Sequence, residues 1–236
     1  MALPKVNTPT YELVVPSTDE KVKFRPFLVK EEKILLIAME AQEQSGILNA
    51  VKDIVKSCTF DKFDVNRAPI FDIEYIFLNI RAKSVGEVST VNLRCPDDNE
   101  TFVQTEIDLT TVDVQITEGH TNKIELTDEM GMIMTYPTLD SFTDSTTVIN
   151  ASNMLDVIAS CVAQIYDKKG EDVYDAKDST KQEIVDFIES LNSKQFKEIQ
   201  NFFDTSPKLT HTVTIENPKT KVKSDITLTG LNDFFV

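Results

Sequence analysis

The sequence predicts an α+β protein with an N-terminal β-hairpin, a helical bundle and an antiparallel β-module. Stretches with strand alternation and stretches with helical spacing occur in separate groups along the chain, whereas a doubly wound sheet would alternate them. Hydrophobic residues make up 41% of the 236 residues, and only 6 residues are Gly. This composition supplies a core and excludes a disordered or collagen-like chain.

The first third of the chain is predicted to contain the hairpin and three helices. Short β-rich runs on both sides of the Ser17–Glu20 cluster predict the hairpin. Apolar residues at helical spacing then predict helices, interrupted at Ser45-Gly46, over Lys30–Gln44, Ile47–Cys58 and Pro69–Lys83. The third helix is apolar over most of its circumference, so we expect it to be central and buried.

A group of strands, a group of helices and a final pair of strands are predicted for the rest. The first strands are Val88–Cys95, Thr101–Leu109, Val112–Thr117, Lys123–Leu126 and Gly131–Tyr136. A helix over Val148–Tyr166, an exposed loop over Asp167–Ser179, and helices over Thr180–Leu191 and Ser193–Phe203 follow. Thr180 and Glu183 have the spacing of a capping box. The final strands are Thr210–Glu216 and Lys223–Thr229.

These groups divide the chain into four segments. They are the hairpin with three helices (1–86), a β-meander (87–137), a helical region (138–206) and a C-terminal hairpin (207–236). One option is that the last segment pairs with 87–110.

Charge, hydrophobic runs and cysteine spacing indicate which partners and which compartment to expect. The formal net charge of -15 disfavours nucleic acid and anionic membrane surfaces. No run of about 18 apolar residues predicts a membrane span, and the N-terminus does not have the pattern of a signal peptide. Three widely spaced cysteines, Cys58, Cys95 and Cys161, do not form a disulfide framework and fit a reducing cytoplasm.

No catalytic constellation is recognisable, so we expect no enzymatic activity, no cofactor and no small-molecule substrate. The chain has two histidines, His120 in a predicted turn and His211 at a strand start, and neither is accompanied by a nucleophile motif. Gly-rich phosphate loops are absent from the sequence. The acidic pairs Glu31/Glu32 and Asp97/Asp98 are expected to satisfy backbone N–H groups.

Two distant hairpins share a pattern. Cys95-Pro96 in the turn of the first aligns with Asn217-Pro218 in the turn of the second. A zinc ribbon uses two such turns to supply four thiolates, but here only Cys95 is a cysteine, and Asp98, Asn217 and Thr220 occupy the other positions. Two interpretations stay open: a β-module resembling a metal-free zinc ribbon, or two ordinary hairpins with Pro turns. Neither predicts a bound metal.

Several blocks carry a family resemblance. They are LPKVNTPTYEL from Leu3, FRPFLVKEEK from Phe24, FDIEYIFL from Phe71, RAKSVGE from Arg81 and GLNDFF from Gly230. The chain resembles, over its whole length, the baseplate hub family of T4-like contractile-tailed phages. Relatives often carry cysteine pairs in the two hairpins, a pattern from which this chain departs.

The resemblance implies a structural or chaperone-like assembly protein of the tail baseplate hub. Its partners would be other hub proteins, and it would be found in the virion tail baseplate, or in the host cytoplasm during assembly. The alternative is a generic intracellular adaptor unrelated to the tail. Aromatic and Arg residues are enriched at interface hot spots, so the interface candidates are Phe24, Arg25, Phe27, Phe234 and Phe235. A competing interpretation is that Phe24 and Phe27 fill the core.

Overall fold

A computed structural model describes residues 7–41, 44–139, 141, 153–169 and 172–234. Its helices and antiparallel sheets confirm the α+β class. The chain forms two compact units, one from the described residues of Met1–Gln115 and Lys208–Val236, the other from those of Ile116–Pro207. None of the helices in these ranges is both long and apolar enough to cross a membrane.

The first unit begins with the predicted hairpin and three helices. Their bounds are β1 Tyr11–Val14, β2 Lys21–Phe24, α1 Val29–Ala41, α2 Gln44–Cys58 and α3 Ile70–Val85. The predicted break at Ser45-Gly46 is wrong, because both residues lie in the first turn of α2. Gly destabilises a helix mainly in its interior, so the pair is tolerated at this end.

Helix α3 is the buried helix of the first unit, as its all-round apolar pattern predicts. Its buried residues are Phe71, Asp72, Ile73, Ile76, Phe77, Leu78, Ile80 and Ala82. Each fully buried Ile or Leu contributes about 1.5–3 kcal/mol relative to an exposed one. The carboxylate of Asp72 accepts hydrogen bonds from the backbone N (3.1 Å) and hydroxyl of Ser17, which attaches the β1–β2 turn to α3.

Two further hairpins complete the first unit. Strands β3 (Val88–Arg94) and β4 (Phe102–Asp108) form a two-stranded sheet. A three-stranded sheet has the order β11-β10-β5, with β5 Asp113–Gln115, β10 Lys208–Glu216 and β11 Lys223–Thr229. Both hairpins and α3 contribute to one hydrophobic core that includes Leu78, Val91, Ile107, Ile215 and Leu228. The hairpins therefore share a core, while the strand hydrogen-bonded to β10 outside its hairpin is β5.

The second unit is a four-stranded antiparallel sheet with helices. The sheet order is β6-β7-β8-β9. Its elements are β6 Lys123–Glu125, β7 Met130–Met134, α4 Met154–Ser160, β8 Val162–Asp167, β9 Val173–Asp175, α5 Lys181–Glu189 and α6 Ser193–Thr205. Its core contains Met132 and Met134 from the sheet and Ile184, Ile188 and Phe202 from the helices.

Two sequence predictions are wrong in the second unit. The helix predicted over Val148–Tyr166 ends at Ser160, and the chain continues as strand β8 from Val162; residues 148–152 lie outside the described ranges. The predicted loop Asp167–Ser179 contains strand β9 and a 3₁₀ turn over Ala176–Asp178. In both cases pairing with neighbouring strands decides the conformation, because strand preference depends strongly on tertiary context.

The capping box that starts α5 is confirmed. The Thr180 hydroxyl accepts a hydrogen bond from the backbone N of Glu183 (3.3 Å), whose carboxylate accepts one from the backbone N of Thr180 (2.7 Å). Helix α6 starts with a second box, in which Asn192 caps the backbone N of Gln195 at 3.1 Å.

Candidate functional site

The aromatic residues predicted as interface candidates are buried or half-buried in the first unit where the structure describes them. The Phe24 side chain is 2% exposed, and its ring lies 5.7 Å from that of Tyr11. Phe27 is half-buried, and its backbone N donates to the Ser84 hydroxyl at 2.9 Å. Phe234 is fully buried, and Phe235 lies outside the described residues. In this conformation Phe24 and Phe234 present no side chain to a partner, so their interface role stays a prediction.

Arg25 forms a buried polar network. Its guanidinium donates to the Glu31 carboxylate (3.0 Å), the Ser57 hydroxyl (3.0 Å) and the Pro26 carbonyl (2.9 Å). Burial alone would raise the pKa of Glu31, but hydrogen bonds from Arg25, the Leu28 backbone N and Lys30 lower that pKa to about 2. Arg25 thereby connects the end of β2 to α1 and α2.

Helix α1 has an unusually exposed apolar surface. Glu31 is its buried residue among those described. We define the α1 surface as the apolar residues Leu28, Val29, Ile34, Leu36, Ile37 and Met39, whose exposed fractions range from 39% to 80%. The run Ile34 to Met39 contains no charged residue, which is the sequence signal for this surface. Val29, Leu36 and Ile37 share the side of the helix opposite Glu31, and exposed apolar residues grouped in this way mark interaction sites in soluble proteins.

The turns of the two distant hairpins meet. The side chain of Asn217, 1% exposed, donates to the carboxylates of Asp97 (3.0 Å) and Asp98 (3.0 Å). The Thr220 hydroxyl donates to Asp97, and Cys95 lies buried beside them. The residues aligned as ligand positions of a zinc ribbon are therefore brought together. Side-chain hydrogen bonds join Asn217 to Asp98 directly and Thr220 to the neighbouring Asp97.

The two turns also share their backbone geometry. In the first, the N of Asn99 donates to the carbonyl of Cys95; in the second, the N of Lys221 donates to that of Asn217, both at 2.9 Å. Asn99 and Lys221 each have a positive φ, 55° and 63°. The sequence pattern thus corresponds to a structural repeat, which favours the ribbon-like interpretation over unrelated hairpins.

Electrostatics at the turns follows from these contacts. Hydrogen bonds from Asn217 and Thr220 lower the pKa of Asp97. Those from the Thr101 side chain and backbone, then from Asn217, lower the pKa of Asp98. Burial, together with both carboxylates, raises the pKa of the Cys95 thiol. In the described part of the chain, no group of three or more His, Cys, Asp or Glu side chains is placed to hold a metal ion.

His120 lines a cleft of about 440 Å³ in the second unit. Its Nδ1 lies 2.9 Å from the Thr205 hydroxyl, and its Nε2 lies 3.0 Å from the Tyr136 hydroxyl. The Thr205 hydroxyl donates a hydrogen bond to the Asn201 carbonyl (2.7 Å), so it accepts one from Nδ1–H of His120. Nε2 of His120 then accepts a hydrogen bond from the Tyr136 hydroxyl. Burial lowers the pKa of His120. Both ring nitrogens are thus engaged within the unit, and the contacts orient the ring.

The other histidine and the acidic pairs have structural surroundings. His211 lies in β10 of the first unit, opposite Leu228. The prediction for the acidic pairs is confirmed for one member of each: Glu31 accepts from Leu28 N at 2.7 Å, and Asp98 accepts from Thr101 N at 3.0 Å.

Comparison with known proteins connects this chain to a family. No curated protein sequence and no solved structure matches it. A family model described as T4 bacteriophage base plate protein matches residues 8–236. That span contains β1–β2, the α1 surface and both repeated hairpins, so every feature described above falls within the match. The chain belongs to the T4 bacteriophage base plate protein family.

Proposed function

We propose that the chain is a structural or assembly protein of the baseplate hub that works by binding other tail proteins and has no catalytic activity. Family membership supports a role in the baseplate. The observation that carries the binding role is the α1 surface, on which Val29, Leu36 and Ile37 are 80%, 54% and 55% exposed.

Binding energy is concentrated where apolar side chains leave water at the centre of an interface. Burial of exposed apolar area contributes about 25 cal/mol per Å². A partner that covers the α1 surface therefore binds with a favourable free energy from removing these side chains from water.

A phage with an inactivated copy of this gene tests the proposal. We expect no complete tails without the protein, and rescue by a plasmid that supplies the unaltered chain. A Leu36→Glu/Ile37→Glu variant should fail to rescue. Val173→Glu should rescue fully, because Val173 is similarly exposed (58%) but lies outside the α1 surface. Complete tails in the absence of the protein would contradict the proposal.

Retention in the particle distinguishes the two forms of the role. Mass spectrometry of purified virions should detect the chain if it is a hub subunit. If it is an assembly factor that departs, the chain should be present in assembly intermediates and absent from virions.

A further inference from the structure

Two charged residues of α1, Lys33 and Glu40, lie among its exposed apolar residues, and their positions indicate what kind of partner binds there. Val29, Lys33, Leu36 and Glu40 follow one another at spacings of four, three and four residues, so they form one stripe along the helix. This stripe faces away from Glu31, the residue through which α1 is attached to Arg25. Lys33 and Glu40 form no ion pair with any residue in the described ranges.

Lys33 and Glu40 are placed symmetrically about the apolar centre of the helix. Lys33 is three residues before Leu36, and Glu40 is three residues after Ile37. A two-fold axis midway between Leu36 and Ile37 therefore places Leu36 opposite Ile37 of a second copy. The same axis places each Lys33 opposite a Glu40. A two-fold interface requires one patch to be complementary to itself, and this arrangement satisfies that requirement in both apolar contact and charge.

We propose that the side of α1 that carries Val29, Leu36 and Ile37 is covered by the same side of α1 in a second copy of this chain, packed antiparallel. The inference rests on the proposed function, since it assigns a partner to the same surface. A parallel pair would place Lys33 beside Lys33 and Glu40 beside Glu40, and like charges in contact oppose association. The charge pattern thus selects the antiparallel pairing.

The size of the surface sets the expected affinity. Helix α1 has 13 residues, which is about 20 Å of helix at roughly 1.5 Å per residue. Two such helices bury less than the ~1,200 Å² of a standard stable interface, and such small interfaces are weak. We therefore expect a reversible dimer with a dissociation constant in the micromolar range.

Sedimentation of the full chain from about 1 to 100 µM, a range chosen to bracket that affinity, tests the pairing. The unaltered protein should shift from monomer to dimer over this range, and Leu36→Glu/Ile37→Glu should stay monomeric with an unchanged circular dichroism spectrum. A monomer throughout, or a dimer that persists in the double variant, would overturn the inference.

Charge exchange tests the orientation. Lys33→Glu and Glu40→Lys should each weaken the dimer about tenfold or more, because each places like charges in contact. The combined Lys33→Glu/Glu40→Lys protein should recover wild-type association, and a mixture of the two single variants should form heterodimers. Lys197→Glu on α6 has the same charge change on an exposed residue and should leave the dimer unaltered. Absence of recovery in the combined variant would refute the antiparallel pairing.

The two proposals fail separately. If the purified chain is monomeric and Leu36→Glu/Ile37→Glu still prevents tail assembly, the second copy is not the occupant and the proposed function stands. If the chain dimerises and tails assemble without it, the pairing stands and the proposed function is wrong.

Discussion

Arg25 is a charged side chain inside the first unit, where it determines how α1 is attached. Its guanidinium contacts Glu31 on α1 and Ser57 on α2, and its own backbone N donates to the Cys58 carbonyl at 3.0 Å. The helix is therefore held by a polar contact, together with half-buried Leu35 and Ala38. This attachment leaves Val29, Leu36 and Ile37 exposed on the opposite side of the helix.

Removal of Arg25 should destabilise the protein strongly. In Arg25→Ala, the Glu31 carboxylate, whose side chain is 5% exposed, keeps its burial and loses its main partner. Removal of one partner of a buried ion pair costs about 3–5 kcal/mol. The contacts of Glu31 with Leu28 N, Ser57 and Lys30 remain, so we expect the lower end of this range, about 3 kcal/mol, in urea unfolding at pH 7. Arg67→Ala is the matched control: its side chain is 91% exposed and pairs with Asp64, and such pairs contribute about 0–1 kcal/mol. Equal effects of the two substitutions would contradict the structural role of Arg25.

The same pair has a defined pH dependence. The folded pKa of Glu31 is about 2, below its ordinary value of 4.5, so the folded state favours the ionised carboxylate. Its contribution to stability is fully present above pH 4.5 and is lost as the pH falls towards 2. The difference between wild type and Arg25→Ala should accordingly shrink as unfolding is measured at successively lower pH within that window.

At the scale of elements, the two repeated hairpins are joined at their turns. Hydrogen bonds from Asn217 to Asp97 and Asp98 connect residues about 120 positions apart in sequence, at the place where a zinc ribbon uses metal–thiolate bonds. The amide group suits this position because it donates to two carboxylates without adding charge.

A single negative charge at this junction should separate the turns. In Asn217→Asp a third carboxylate replaces the donor, so at neutral pH we expect unfolding to cost about 2–4 kcal/mol less. The loss should be smaller at pH 4, because neighbouring carboxylates raise the pKa of the new group, and its protonated form can donate again. Asn192→Asp is the control for the same chemical change: Asp caps a helix as well as Asn does, so its stability should be nearly unaltered. Thermal unfolding of both variants at the two pH values provides the measurement.

Sequence patterns predict elements where neighbouring residues determine the structure. The Thr180–Glu183 capping box and the burial of α3 follow from local spacing, and both are confirmed. The segment Val162–Tyr166 is a strand because β7 and β9 pair with it, which its apolar spacing alone does not reveal. The contacts of Arg25 and Asn217 likewise depend on distant residues. For that reason the sequence identifies the repeated turns, but not the hydrogen bonds that join them.

At the scale of the whole molecule, the second unit is an insertion between two neighbouring strands of the first. The chain leaves the first unit after β5 at Gln115 and returns to it at Lys208, the first residue of β10. These two residues are directly opposite each other in the antiparallel β5–β10 pair. The first unit therefore has its own core and its own complete sheets. The two ends of the insertion lie at paired positions of β5 and β10.

A short turn should accordingly replace the whole insertion. Antiparallel strands are joined efficiently by two-residue turns such as Asn-Gly, so we expect a chain with Ile116–Pro207 replaced by Asn-Gly to fold. It should unfold cooperatively in urea, show helical and strand circular dichroism, and keep the concentration-dependent dimer, because α1 belongs to the first unit. Leu209→Asp in the same shortened chain should abolish cooperative unfolding, since Leu209 is fully buried in the shared core. A shortened chain without a cooperative transition would show that the first unit depends on the second for its stability.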